Sequence, residues 1–292
     1  MKNVLSLDAG GIRGYMTLHH LAYIEKITGY RCCEIFDLIA GTSFGGLATA
    51  LLASGYSAEQ IIHAIEEHAP MIFNKKIYRN GIILSKYSDK YLEGVLLKYF
   101  GNDRMHGMVC NVIIPVYNTT DKKVELIKNS NSKRNWLVRD VVRATVAAPT
   151  YFDHVKINEK NYSDGGLASP NPADYAKCEM QMLYPGETVN MLSLGTGMID
   201  KPIKHGLGGA LFWVKQAPAT LLKESVKKTH DVVSMEMKLD NNLYKRLDIV
   251  ISKSSGEMDD ASAKNMNNML LDARNSVKIN SADLRDFVYK IL

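Results

Sequence analysis

Leu38-Ile39-Ala40-Gly41-Thr42-Ser43-Phe44-Gly45-Gly46 is an apolar run that ends in Gly-x-Ser-x-Gly, and a run of small and apolar residues, Leu47-Ala48-Thr49-Ala50-Leu51-Leu52, follows at once. The order predicts a buried strand, a sharp turn and a helix. Such a turn forces its central residue into a strained backbone conformation that exposes the side chain. Gly41 and Gly45 lack a Cβ where strand and helix crowd together, so the turn can close. Ser43 then stands at a helix N-terminus, where free N–H groups and the helix dipole favour developing negative charge. Two readings stand at this point: a nucleophile on an elbow, or a Gly/Ser-rich turn without chemistry.

Upstream, Val4 to Leu7 reads as a buried strand that stops at Asp8-Ala9-Gly10-Gly11-Ile12-Arg13-Gly14, and a helix pattern runs from Tyr15 to Ile27, ending near Gly29. The loop Ala9 to Gly14 therefore lies between a strand and a helix, with backbone N–H groups placed to hold an anion. A nucleotide phosphate is one candidate and the oxyanion of an acyl transfer another; a tight strand-to-helix turn that holds no anion is the third reading. The absence of a Gly-Lys-Ser/Thr ending argues against a phosphate-binding loop of the P-loop kind.

Downstream, Ser57 with Gln60 forms a capping-box signal for a helix to His68. Met71 to Lys86 has no clear periodicity and reads as a connecting loop, with a flap as the alternative. A helix over Asp89–Tyr99 is closed by Gly101. Val109–Tyr117 and Lys123–Ile127 form a predicted hairpin. A helix follows over Val138–Ala147, then strands at Tyr151–Val155 and before Ser163-Asp164-Gly165-Gly166. Asn171–Met182 reads as a helix, and Val189–Leu194 as a strand closing in Gly195-Thr196-Gly197. Alternation of strands and helices predicts an α/β fold, with a mostly parallel sheet covered on both faces and ligands at the carboxyl ends of its strands. Asp8, Ser43, Asp164 and Gly195 all fall at such ends. Gly206–Lys228 reads as a long apolar and basic helix, either packed on the sheet or touching lipid. Tyr244–Ile251 reads as a further strand, and Met258–Val277 with Ser281–Ile291 as two closing helices. No linker or repeat interrupts residues 1–292, which predicts one domain.

Composition narrows the classes further. The 292 residues are 46% hydrophobic and 23% charged, which fits a globular chain rather than a disordered, fibrous or coiled-coil one. A net charge of +5 suits anionic membrane surfaces but does not single them out, and no nucleic-acid polymer is expected as a partner. Cys32, Cys33, Cys110 and Cys178 have no metal-ligand spacing and read as reduced thiols. Asp8 interrupts the first apolar run too early for a signal peptide, and no run approaches the ~20 apolar residues of a membrane span. A cytoplasmic chain with at most peripheral membrane contact is expected.

Three motifs in one order, Asp8-Ala9-Gly10-Gly11-Ile12-Arg13-Gly14, Gly41-Thr42-Ser43-Phe44-Gly45-Gly46 and Asp164-Gly165-Gly166, resemble the patatin-like phospholipase family. Ala147-Ala148-Pro149-Thr150-Tyr151-Phe152 and Leu192-Ser193-Leu194-Gly195-Thr196-Gly197 add to the resemblance, which covers residues 1–200 and fades in the divergent stretch 201–292. It implies a three-layer α/β/α sandwich and hydrolysis of acyl esters of phospholipids and other lipids by a Ser–Asp dyad, through an acyl-enzyme, with no metal or cofactor. Carried over, Ser43 corresponds to the nucleophile and Asp164 to the general base. The N–H groups of Gly10 and Gly11 correspond to the oxyanion hole, with Ile12 and Arg13 as further contributors. For Arg13 a structural ion pair or a lipid phosphate are the two roles. The resemblance also implies that the chain is a candidate bacterial effector: family members serve as toxins or immune effectors, some switched on by a cyclic nucleotide or a host protein, which makes the stretch after Gly197 a place for such control. The family has Gly where this chain has Ala9, so the loop is expected to reach its geometry without a left-handed residue there, or at some strain. Two rivals remain. A serine–histidine acyltransferase on a related sandwich would need a base such as His154, and a weakly catalytic lipid- or partner-binding member would need neither.

Overall fold

The computed structural model describes residues 1–75, 81, 84–130, 134–197 and 210–292, with the side chains of 210–218 left aside. The unpatterned stretch Met71–Lys86 lies partly outside the described residues, as does the start of the helix expected from Gly206. Among the described residues eight strands form one sheet: β1 (Lys2–Leu7), β2 (Leu38–Gly41), β3 (Asn111–Asn118), β4 (Lys123–Lys128), β5 (Val155–Ile157), β6 (Lys160–Asp164), β7 (Val189–Leu194) and β8 (Tyr244–Leu247). The helices are α1 (Gly14–Thr28), α2 (Cys32–Ile35), α3 (Phe44–Ala53), α4 (Ala58–Ile72), α5 (Asp89–Phe100), α6 (Val138–Thr145), α7 (Ala173–Leu183), α8 (Ala210–Leu239) and α9 (Ala263–Ile291).

The strands β3, β2, β1, β7 and β8 run parallel, and β4, β5 and β6 add an antiparallel margin, so the sheet is mixed. Period-two alternation of apolar side chains feeds both faces. Leu5, Leu7, Ile39, Val112, Ile114, Leu192 and Leu194 pack with α1, α3, α4, α6 and α9 in the larger core. Val4, Leu38, Ala40, Ile113, Val189 and Met191 pack with Ala173, Ala176 and Met180 of α7 and with Val233 and Met237 of α8 on the other face. The expected three layers are present.

Register explains how distant motifs converge. Ile113 pairs with Ala40 of β2 and with Lys128 of β4, so these two strands lie on opposite edges of β3. Val116 pairs with both Glu125 of β4 and Asp164 of β6, which puts β6 on the same edge as β2. The two strands meet head to head there. Their carboxyl ends, carrying Ser43 and Asp164, therefore face one another.

Several expectations need correction. The strand expected over Tyr151–Val155 begins only at Val155, because the Tyr151 and Phe152 N–H groups turn back to Ala148 O and Phe152 is buried in the core. The strand expected over Tyr244–Ile251 stops at Leu247, and just beyond it the Asp248 carboxylate takes the Ile249 N–H at 3.0 Å. The two closing helices are one, α9. Asn280 and Ser281 do not cap a new helix but bond back to Ser276 O and Lys278 O. Met269, Ala273, Ser276, Leu284, Phe287 and Ile291 continue a single buried stripe through them. The caps read from sequence are present: Ser57 and Gln60 form the reciprocal box of α4, and Gly29 and Gly101 end α1 and α5 with positive φ. No disulfide joins the described cysteines, and no described helix is long and apolar enough to cross a membrane.

Candidate active site

Ser43 caps α3 directly after β2, with φ 58° and ψ −122°. A non-glycine residue in this region carries roughly 1–3 kcal/mol of strain, which the surroundings must offset. Here the Ser43 N–H donates to Thr145 Oγ1 at 3.0 Å, and the Thr145 hydroxyl donates to Pro115 O at 2.8 Å. The elbow is thus tied to α6 and β3. Gly45 lets α3 start this close to β1, because a Cβ there would stand 2.4 Å from Leu7 O. Gly41 ends β2 against Gly45 O and Thr49, and Gly14 faces the Phe44 ring, both with no room for a side chain.

The Ser43 hydroxyl donates to Asp164 Oδ2 at 2.5 Å. The other carboxylate oxygen, Oδ1, accepts the Gly166 N–H at 2.6 Å, so the group is oriented at both oxygens. Gly165 allows this approach, since a Cβ there would lie 2.2 Å from Pro115 O. Asp164 is 4% exposed and Ser43 8%. Burial pushes the Asp164 carboxyl up to about 7, against the hydrogen bonds from Ser43 and Gly166.

The loop after β1 runs beside the turns that carry both: Gly14 faces the Phe44 ring, and a Cβ on Gly166 would lie 3.4 Å from Ala9 Cβ. Of the two expectations for Ala9 the first holds: it has no positive φ, and Gly11 takes the left-handed conformation at φ 56°. The Ala9 N–H is bound by Pro170 O at 2.8 Å, and the Ala9 carbonyl accepts the Thr196 hydroxyl at 3.1 Å. The Gly10 and Gly11 N–H groups have no hydrogen-bond partner among the described residues. Ile12 differs: its N–H donates to Met258 O at 2.9 Å, which removes it from the set free to meet an anion. Arg13 is buried and turned inward, with Nε donating to Gly10 O at 3.3 Å, so it braces its own loop.

The pin beneath this loop had no signal in the sequence. Arg246 of β8 grips Asp8 with both ends of its guanidinium, at 2.9 and 2.7 Å, and reaches Ser193 Oγ at 2.9 Å and Asp248 Oδ2 at 3.1 Å. Asp248 in turn accepts the Gly197 N–H at 2.9 Å. Burial lifts the Asp8 carboxyl to about 6 while the Arg246 fork works against that rise. The three carboxyl-end loops of β1, β7 and β8 are thereby locked together.

No histidine among the described residues bonds to Ser43 or Asp164. His20 bonds to Ser276, His68 to Tyr91 and Lys98, and His154 is exposed.

A strained serine elbow facing a buried aspartate, on a mixed sheet between two helical layers, defines a class that the comparisons with known proteins identify. The family model "Patatin-like phospholipase" matches residues 5–177, and the chain belongs to that family. Patatin-like protein 2 of Oryza sativa subsp. indica is 27% identical over 333 aligned positions, covering 92% of this chain and 82% of the relative. The cGAMP-activated phospholipase of Vibrio cholerae is 28% identical over 317 positions, covering 91% and 87%. Among solved structures, VipD from Legionella pneumophila superimposes with a TM-score of 0.50 at 12% identity, covering 94% of this chain and 67% of that one, which supports the fold alone.

Proposed function

We propose that the protein is a lipid acyl hydrolase that cleaves carboxylic esters of phospholipids and related lipids, with Ser43 as nucleophile and Asp164 as general base. The observation that carries this reading is the 2.5 Å hydrogen bond from the Ser43 hydroxyl to a carboxylate that is itself held at its second oxygen. A serine hydroxyl is a weak nucleophile until a base in hydrogen-bond reach takes its proton. A carboxyl lifted to about 7 is a much better base than one near 3.9, and it is still substantially ionised at neutral pH.

In the first half-reaction Ser43 Oγ attacks the ester carbonyl as its proton passes to Asp164 Oδ2. The carbonyl oxygen becomes an oxyanion that the Gly10 and Gly11 N–H groups receive, each contributing on the order of 3 kcal/mol to the transition state. The intermediate collapses, Asp164 returns the proton to the departing alcohol, and the acyl group stays on Ser43. In the second half-reaction Asp164 takes a proton from water, the hydroxide displaces the acyl group as a carboxylic acid, and the proton returns to Ser43.

Leu167, three residues beyond Asp164, is more than half exposed and suits contact with an acyl chain or a membrane surface. The near-complete burial of Ser43, together with the cGAMP-activated relative, supports control by a nucleotide or protein activator. The test is fatty-acid release from phospholipid vesicles by the wild type, Ser43→Ala and Asp164→Asn. Release by the wild type alone is expected, and equal release by all three would overturn the assignment. Adding an acceptor alcohol separates hydrolysis from the acyltransferase alternative, which predicts an acyl ester in place of the free acid.

A further inference from the structure

Between β8 and α9 the chain crosses the loop that carries Gly10 and Gly11. Met258 sits directly on that loop: its carbonyl accepts the Ile12 N–H at 2.9 Å, and a Cβ on Gly11 would stand 2.1 Å from the same oxygen. What places Met258 there is one face of α9. Asn265 and Asp272 are seven residues apart, two helical turns, and so share that face. Asp272 is buried and gathers the start of the crossing, accepting the Ser252 hydroxyl at 2.6 Å, the Ser254 N–H and hydroxyl at 2.9 Å each, and the Lys253 N–H at 3.1 Å. Asn265, also buried, clips the turn around Met258 at both sides. Its Oδ1 accepts the Ser255 N–H at 2.7 Å, and its Nδ2 donates to Asp260 O at 2.7 Å. Asp259, next to Met258, is tied to the far wall by the Tyr87 hydroxyl at 2.6 Å and by Lys86.

We propose that Asn265 is a positioning residue for the anion-receiving loop: by clipping residues 255–260 it holds Met258 O on the Ile12 N–H, and so aims the Gly10 and Gly11 N–H groups. The inference rests on the hydrolase reading for its catalytic consequence, while its structural half stands apart from it. Neither Asn265 nor Met258 touches the reacting atoms. Anchored donors are effective because they need no reorganisation as charge develops, and a displacement of about 1 Å can cost roughly 100-fold in rate.

The experiment compares the wild type, Asn265→Ala and Asn265→Asp with Ser276→Ala. Asn265→Asp retains the acceptor for Ser255 but loses the donor to Asp260. Ser276→Ala weakens α9 elsewhere, at its 3.0 Å bond to His20. Two quantities are read: amide hydrogen exchange in the peptide spanning 9–14, and hydrolysis of a phospholipid together with inhibition by a trifluoromethyl ketone, whose adduct on Ser43 carries the oxyanion. Expected for Asn265→Ala are exchange faster by about tenfold or more, kcat lower by about tenfold or more with KM within about twofold, and ketone affinity falling in parallel with kcat. Asn265→Asp changes in the same direction by less, and Ser276→Ala changes stability only. Unchanged exchange in both Asn265 variants overturns the clip. Faster exchange with wild-type kcat and ketone affinity overturns the positioning role. A wild type without hydrolase activity overturns the hydrolase reading, and the catalytic half of this inference with it, while the exchange data still decide the clip.

Discussion

The stretch from β1 to β7 and the stretch from α8 to α9 contribute to the same site in opposite ways. The first supplies every group assigned to the chemistry, on turns whose glycines are dictated by local crowding. The second supplies braces: Arg246 beneath Asp8, Asp248 on the Gly197 N–H, and Met258 on the Ile12 N–H. On the proposed reading, the first region is where bonds are made, and the second is where the donors are kept in place. Changes to the reacting groups of the first should abolish turnover with the fold intact, whereas changes to the braces of the second should loosen both.

The sharpest break between the two regions is expected at the dyad. Ser43→Ala should lower ester hydrolysis by roughly four to six orders of magnitude, measured as initial rate, with a thermal midpoint close to that of the wild type. Comparable losses of rate and stability would erase the distinction drawn here.

The Asp164 carboxyl also sets a pH signature. Its folded value near 7 lies above the unfolded value near 3.9, so the folded state holds the extra proton between those limits. Its contribution to stability is therefore complete below about pH 4 and is lost as pH rises through 7. Asp8, lifted to about 6, acts in the same direction. Activity runs the other way, because the base must be ionised. The rate constant kcat/KM should rise about tenfold per pH unit up to pH 7 and then level. Asp164→Asn should remove its share of the stability change while abolishing activity.

Next in size is Arg246→Met. It leaves Asp8 and Asp248 without their cation, and Asp8 is only 3% exposed. Removing one partner of such a buried set costs about 3–5 kcal/mol, readable by urea unfolding. A loss under about 1 kcal/mol would show that the second region is a passive cover. The smallest effect is expected for Ser57→Ala, which removes the α4 cap far from the site. About 1 kcal/mol of stability should go, with kcat unchanged.

Much of this was legible in the chain itself. Gly41 and Gly45 announce places where backbones approach too closely for a Cβ, and strand-to-helix order around Ser43 is a local property. The capping box at Ser57 and Gln60 and the helix stops at Gly29 and Gly101 are local too. What was not legible depends on separation. Arg246 meets Asp8 across 238 residues, and nothing near Arg246 marks it as a partner. The Ile12 N–H sits in the right motif to receive an anion, yet Met258, far along the chain, claims it. Asn280 and Ser281 have the composition of a helix break, but the buried stripe of α9 outweighs them.

The central claim, that Ser43 is a nucleophile activated by Asp164, is most directly tested by treating the protein with a fluorophosphonate in the presence of phospholipid vesicles and locating the adduct by peptide mass spectrometry. The account predicts one phosphonyl group on Ser43 of the wild type, none on Ser43→Ala, and labelling slowed by at least about 100-fold in Asp164→Asn. A wild type left unlabelled at Ser43, or an Asp164→Asn variant labelled there at the wild-type rate, would contradict it.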